Sequence, residues 1–475
     1  QDGKFAQKPI PGRDIQLGLD ADLQLLGEPL MEGKLGAIVA IEPKTGQILA
    51  MVSSPTFDPR EMIGKLRGKT QHTLMLDPAK PLLNRAIMGQ YPPGSTFKTS
   101  QAVTYYTEGI ISDSTRYACH HGFYFKGLHL GCHAHASPLS LVPALGTSCN
   151  AYFCWGLYHM LSNRKRYKNL DDAMTVWRNY MVSMGFGYKL GIDLPGEKRG
   201  MIPNAQFYDH AFKVWNPLTV ISISIGQGEV NLTPLQIANL GATIANRGYY
   251  ITPHVVRKIQ GHRLDKKYTE RHRTMGSVKS YERVVLGMQA SVNNGTCAGA
   301  PHPGYTLAGK TGTAQNRGKD HSVFMGFAPV ENPKIAIAVY VENGGFGAVY
   351  GVPIGALMIE QYINGKLTPG DMAKADQIQK RHIAYSFKRP LTKSDSLRLD
   401  SIKRVTQIKD SLKQVKEKQM IEEIKKAKEE KAKLDAEKQE KKKPQMPNDP
   451  IIRPETDESV IKEKGDDHKK DKKPT

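Results

Sequence analysis

Apolar residues recur along this chain with two different periods. In the last third they alternate with polar ones at 306–314, 321–327 and 334–342, the pattern of three adjacent strands. Two more runs, 36–42 and 47–54, are rich in Val, Ile and Leu and are joined by Pro43-Lys-Thr-Gly46, so they read as a β-hairpin. Between these blocks the spacing is three and four. It predicts a buried helix over 95–108, helical segments over 142–159, 216–225, 233–246 and 281–293, and a closing helix at 352–363. Thr233 and Pro234 supply the cap and the first turn of one of them. Segments 109–147 and 185–203 read as loops, and a short helical pattern at 20–31 falls in a polar stretch, 1–35, taken as the end of a preceding linker or pedestal region.

Strands at both ends with helices between them predict an α+β domain over 36–368: one antiparallel sheet flanked by helices and assembled from the outer thirds, plus an all-helical middle subdomain. From 369 to 475 the chain is rich in Lys and Glu, with weak three-and-four spacing through Ile402, Val405, Ile408, Leu412 and Val415. That composition predicts a flexible charged tail, helical in part, with a short coiled coil as the alternative.

Composition narrows the choice of partner. The 475 residues carry 67 Lys and Arg against 46 Asp and Glu, a formal net charge of +21. The lysines concentrate in the tail, where they alternate with acids, and no helix-turn-helix, zinc-finger or RNA-binding aromatic pattern accompanies them, so nucleic acid is not the expected partner. No run of about eighteen apolar residues is present to span a bilayer. Residue 1 is glutamine, and the expectation is that membrane-anchoring sequence lies upstream of it. The five cysteines are an odd number, so at least one is unpaired or bound to metal.

The candidate chemistry gathers on Tyr91-Pro-Pro-Gly-Ser-Thr-Phe-Lys98. Two prolines and a glycine end the preceding structure, which places Ser95 at a helix start, where unpaired N–H groups favour a serine oxygen becoming a nucleophile. Lys98, three residues on, leaves the same face, and a lysine in a dry pocket near a second cation has a lowered pKa and can take the serine proton. Ser-x-x-Lys recurs by chance about twice in a chain of this length, and it does so here at Ser162–Lys165 and Ser459–Lys462, in charged, solvent-facing stretches. Ser95 differs by its company: Ser148-Cys-Asn150 and then Lys310-Thr-Gly-Thr313 follow in order. An earlier Lys44-Thr45-Gly46 lies in a tight turn ahead of the serine and reads as turn chemistry.

With these motifs the chain resembles the class B penicillin-binding proteins, most closely the elongation type. The resemblance runs from about Gly12 to Thr368 and includes Gly36-Ala-Ile-Val-Ala-Ile-Glu-Pro-Lys-Thr-Gly46, Asn84-Arg-Ala86, Ile225-Gly-Gln-Gly-Glu229, Thr233-Pro-Leu-Gln236 and Gly326-Phe-Ala-Pro329. It implies a penicillin-binding transpeptidase fold, of the serine β-lactamase-like kind, and a peptidoglycan D,D-transpeptidase that builds cell wall during elongation. On that resemblance Ser95 attacks the carbonyl between two D-alanines of a stem peptide, Lys98 is the base, Ser148 passes the proton to the leaving D-alanine and Asn150 orients Lys98 and the substrate. Lys310 supplies positive charge, Thr311 and Thr313 add contacts, and Gly312 keeps the strand bare where the substrate lies alongside. The N–H groups of Ser95 and Thr313 form the oxyanion hole. Further implications are β-lactam binding, an inner-membrane anchor with the catalytic domain in the periplasm, and a membrane glycosyltransferase partner. The rivals are a serine β-lactamase or β-lactam sensor, and a catalytically idle scaffold.

Cys119, Cys132, His135 and Cys149 form a Cys3His candidate set that suits tetrahedral zinc, and Cys149 is the middle residue of the Ser-x-Asn motif, where elongation-type relatives place a zinc ligand. His133 is an alternative to His135. A Cys119–Cys132 disulfide and ordinary buried thiols stand as the other readings, and the chemistry itself needs no cofactor.

Overall fold

The computed structural model describes residues 11–316 and 318–383, with three isolated helical positions, Ser411, Gln414 and Glu422, beyond them. The weak heptad-like spacing of the tail therefore falls outside the described residues. The five long period-two segments form one antiparallel sheet. Its strands are β1 (Gly36–Ile41), β2 (Ile48–Ser54), β5 (Ala308–Ala314), β6 (His321–Ala328) and β7 (Ile335–Val341), in the order β2-β1-β7-β6-β5. The N-terminal hairpin thus joins the C-terminal meander through β1 and β7, Val39 standing opposite Ala338 and Ile41 opposite Ala336.

Alternation assigns the two faces. Ala37, Val39, Ile41, Ala336, Ala338 and Tyr340 pack into one core with the helices of the middle segment, while Ile38, Ala40, Ile335, Ile337 and Val339 pack into a second core on the other face. Each buried Val or Ile contributes about 1.5–3 kcal/mol, so the sheet is clamped from both sides. Helix α6 (Pro234–Ala245) lies across the first face with every residue buried; Thr233 and Gln236 form a reciprocal capping box at its start, as the cap reading requires.

The second face is covered by α1 (Ala21–Met31) and α8 (Gly351–Asn364). This corrects the placement of 20–31 in a linker: Leu23, Leu30 and Met31 are buried in the same core as Ile38 and Ala40. The boundary at 368 also moves. Helix α9 (Pro369–Gln379), capped by Thr368, packs on α1 and α8 and buries Ile378.

The middle segment is helical, built on α2 (Lys98–Thr107), α3 (Leu141–Gly146), α4 (Asn150–Leu161), α5 (Leu170–Ser183) and α7 (Val278–Asn294). Three expectations fail here. The stretch 109–147 holds a hairpin, β3 (Gly122–Phe125) paired with β4 (Leu128–Gly131), rather than loop alone. The helix expected over 142–159 is broken between α3 and α4, because Ser148 adopts a left-handed φ of +59°. The segment 216–225 is helical only as a 3-10 turn at Ile221–Ile225, ended by Gly226 at φ +71°.

Candidate active site

Ser95 lies in a 3-10 turn, Gly94–Phe97, that runs directly into α2. Gly94 begins the turn at φ +55°, and a Cβ there would come within 2.9 Å of the Thr313 carbonyl. Only glycine allows the serine turn to press this closely on β5. The contact is reciprocal: a Cβ on Gly312 would meet Pro93 O at 2.9 Å and Thr96 Cγ2 at 3.2 Å. The bare face of Gly312 is therefore filled by the serine turn, and does not stand open for substrate as the sequence reading has it.

Lys98 is fully buried one turn after Ser95. Its ammonium donates to Ser148 O at 2.6 Å, to Asn150 Oδ1 at 2.5 Å and to Ser148 Oγ at 3.3 Å, and none of these bonds goes to Ser95. The left-handed conformation of Ser148 is what turns both its carbonyl and its hydroxyl toward Lys98. From the sheet, buried Lys310 donates to the same Ser148 Oγ at 2.9 Å and to Thr311 O at 3.0 Å. Burial pulls Lys98 down to about 8, and burial together with the like charge of Lys98 pulls Lys310 down to about 7, against an ordinary value of 10.5.

The direction of the Thr313 N–H follows from strand geometry. The order of the sheet leaves β5 at its edge. Thr313 O accepts from Gln227 Nε2, a side chain outside the sheet, at 3.4 Å. The N–H and C=O of one strand residue share a side, so the Thr313 N–H also faces out of the sheet. Ser95, Ser148, Asn150, Thr311 and Thr313 line one open cavity of about 640 Å3. Sequence reasoning assigned no role to several other lining residues: Gln227, Thr296, Gln315, Asp320 and Phe346. Gln227 belongs to the quoted Ile225–Glu229 stretch, which signalled it; Thr296, which accepts from the Thr311 hydroxyl at 2.7 Å, had no such signal.

Behind Asn150 the cysteine set comes together. One ligand atom from each of Cys119, Cys132, His135 and Cys149 lies within 4.8 Å of the others. Cys132 Sγ accepts from the Asn150 N–H at 3.2 Å and lies 3.3 Å from His135 Nε2. The His135 Nδ1–H donates to Ala136 O at 2.7 Å, which leaves Nε2 as the free ligand atom. A hydrogen bond from the Cys149 thiol, with help from the Asn150 N–H, holds Cys132 down to about 4, whereas that bond and burial push Cys149 up. His133 instead faces the cavity, edge-on to Phe346 with ring centroids 6.0 Å apart. All five cysteines are free thiols, so the structure contains no Cys119–Cys132 disulfide. Three thiols and one oriented imidazole at this spacing fit a tetrahedral metal.

Residues 36–358 match the family model for the penicillin binding protein transpeptidase domain. The peptidoglycan D,D-transpeptidase MrdA of Acinetobacter baumannii is 36% identical over 371 residues, covering 71% of this chain and 52% of that protein. The chain thus spans about half the length of this curated relative. A crystal structure of Pseudomonas aeruginosa PBP2 in complex with WCK 5153 superposes with a TM-score of 0.68 at 32% identity, over 77% of this chain and 80% of that one. A penicillin G acyl-enzyme complex of penicillin-binding protein A from M. tuberculosis superposes with a TM-score of 0.61 at 27% identity, over 74% of this chain and 81% of that one.

Proposed function

Because the chain belongs to the penicillin-binding protein transpeptidase family, we propose that it is a serine acyltransferase that crosslinks peptidoglycan stem peptides, serving cell elongation and shape, and that β-lactams acylate it. The observation that carries this reading is the convergence of two buried lysines on one hydroxyl beside Ser95: Lys98 and Lys310 lie 3.3 and 2.9 Å from Ser148 Oγ.

The steps follow from that arrangement. Neutral Lys98 takes the Ser95 hydroxyl proton as Oγ bonds to the carbonyl carbon of the penultimate D-alanine. The tetrahedral oxyanion accepts from the N–H groups of Ser95 and Thr313. Lys98 returns the proton through Ser148 to the leaving amine, the C–N bond breaks and D-alanine departs. An acceptor amine from a second strand then reverses the sequence on the acyl-serine. Thr311 and Lys310 hold the terminal carboxylate, whose negative charge keeps Lys310 protonated while substrate is bound, and Asn150 fixes Lys98 through its Oδ1. Incubation with penicillin followed by intact-mass measurement tests the assignment: one adduct on the wild-type chain and none on Ser95→Ala, whose thermal midpoint is unchanged because neither the serine turn nor α2 has a side-chain cap bond to lose. A labelled Ser95→Ala protein would remove Ser95 from its role, and loss of the wild-type adduct within seconds would favour a β-lactamase.

The same proposal includes zinc held by Cys119, Cys132, His135 and Cys149, where the ion supplies rigidity and no chemistry of its own. Cys149 lies between Ser148 and Asn150, so fixing its sulfur fixes the two polar groups of the motif. Metal analysis of protein never exposed to chelator is expected to give about one zinc per chain, and less than about one tenth would rule it out. The setting is an inner-membrane protein with this domain in the periplasm and a membrane glycosyltransferase as partner. No helix among the described residues is long and apolar enough to cross a membrane.

A further inference from the structure

Among the described residues that line the active-site cavity, Asp320 is the one carboxylate and there is no lysine or arginine. It lies just before the first residue of β6, one residue beyond the His321–Ala314 pair, which puts it at the Gln315 end of β5. Its main chain is fixed: Asp320 O accepts from the Gly345 N–H at 2.8 Å, which ties it to the loop carrying Phe346. The neighbouring His321 turns away, its Nδ1 accepting from the Asn343 N–H at 3.0 Å. Among the described residues the half-buried Asp320 carboxylate has neither a hydrogen-bond nor an ion-pair partner. A partly desolvated, unmatched charge at the wall of a substrate cavity is complementary to a cation on the ligand.

Strand register says which cation. Lys310 and Thr311 mark the terminal carboxylate and Thr313 marks the scissile carbonyl, so a donor peptide lying along the edge of β5 points its upstream residues toward Gln315. Gln315 lies two positions on from Thr313, a rise of about 7 Å, which is the reach of the residue that precedes D-Ala-D-Ala. In a stem peptide that residue is a diamino acid. We infer that Asp320 is a specificity residue that binds the free side-chain ammonium of the donor's diamino acid, and so selects donors whose amine has not yet been acylated. This rests on the transpeptidase reading above.

The test uses the full chain and two synthetic peptides ending in Lys-D-Ala-D-Ala, one with a free side-chain amine and one acetylated there. D-Alanine release gives kcat/KM for each, divided by the same protein's rate of penicillin acylation, which also reports that a variant is folded. Wild type is expected to favour the free amine by about fivefold, the size of one partly exposed ion pair. In Asp320→Asn the two peptides react alike, and Asp320→Glu keeps a preference. Equal use of both peptides by wild type, or an intact preference in Asp320→Asn, overturns the inference while leaving the parent reading standing. Absence of any penicillin adduct on wild type overturns both.

Discussion

Two ammonium groups directed at one serine oxygen cannot both stay charged at little cost. Lys98 and Lys310 are each fully buried; desolvation draws Lys98 toward about 8, and desolvation with the added repulsion from Lys98 draws Lys310 toward about 7. Near neutrality the two together carry fewer protons than two free lysines would. Their neutral forms grow as pH rises through these values, so the rate of penicillin acylation is expected to climb between about pH 6.5 and 8.5 and then level. A rate flat across that window would mean that no buried amine accepts the Ser95 proton. Lys98→Ala removes the base and is expected to slow acylation by about a thousandfold, measured as time-resolved adduct formation.

The serine turn and β5 meet backbone to backbone, and that seam decides where Ser95 stands relative to Thr313. Gly94→Ala would place a methyl group 2.9 Å from the Thr313 carbonyl at a residue with φ +55°. Expected consequences are a loss of about 1–3 kcal/mol in urea unfolding and at least a tenfold slower acylation. Unchanged acylation would show that the two donors tolerate separation. The sheet was legible in the sequence because each strand is buried on both faces or alternates cleanly, and α6 because its cap and proline stand where a helix must begin. The break at Ser148 was not: serine is not a residue that announces a left-handed backbone, and the partner its carbonyl meets, Lys98, stands fifty residues away in the chain. The hairpin β3–β4 was missed although Phe123, Tyr124, Phe125, Leu128 and Leu130 are apolar or aromatic, because each strand is only four residues long. Likewise the metal-binding set could be named from residue types, but the choice of His135 over His133 needed the fold.

At the scale of the whole molecule, the described unit runs past the last sheet helix through α9, whose Ile378 is 3% exposed. A chain ending at residue 383 is expected to keep its penicillin acylation and its thermal midpoint. One ending at 368 loses α9 and about 2 kcal/mol of buried apolar contact, which lowers the midpoint by several degrees in a protein of this size. Equal midpoints for the two truncations would mean that α9 adds nothing to the second core.

Strand β1 finds its partner in β7, nearly three hundred residues later, with the entire helical segment in between. Closing so long a loop precedes any reward from pairing, and chains dominated by such distant contacts fold slowly. During synthesis the first hairpin is complete early and then waits with one edge unpaired until almost the whole domain has been made. The Ile38 and Val39 edge of that hairpin is a surface to which other chains can add. Yield of native protein should therefore depend on chaperone capacity and on how quickly residues 335–341 follow, well before the chemistry of Ser95 comes into play.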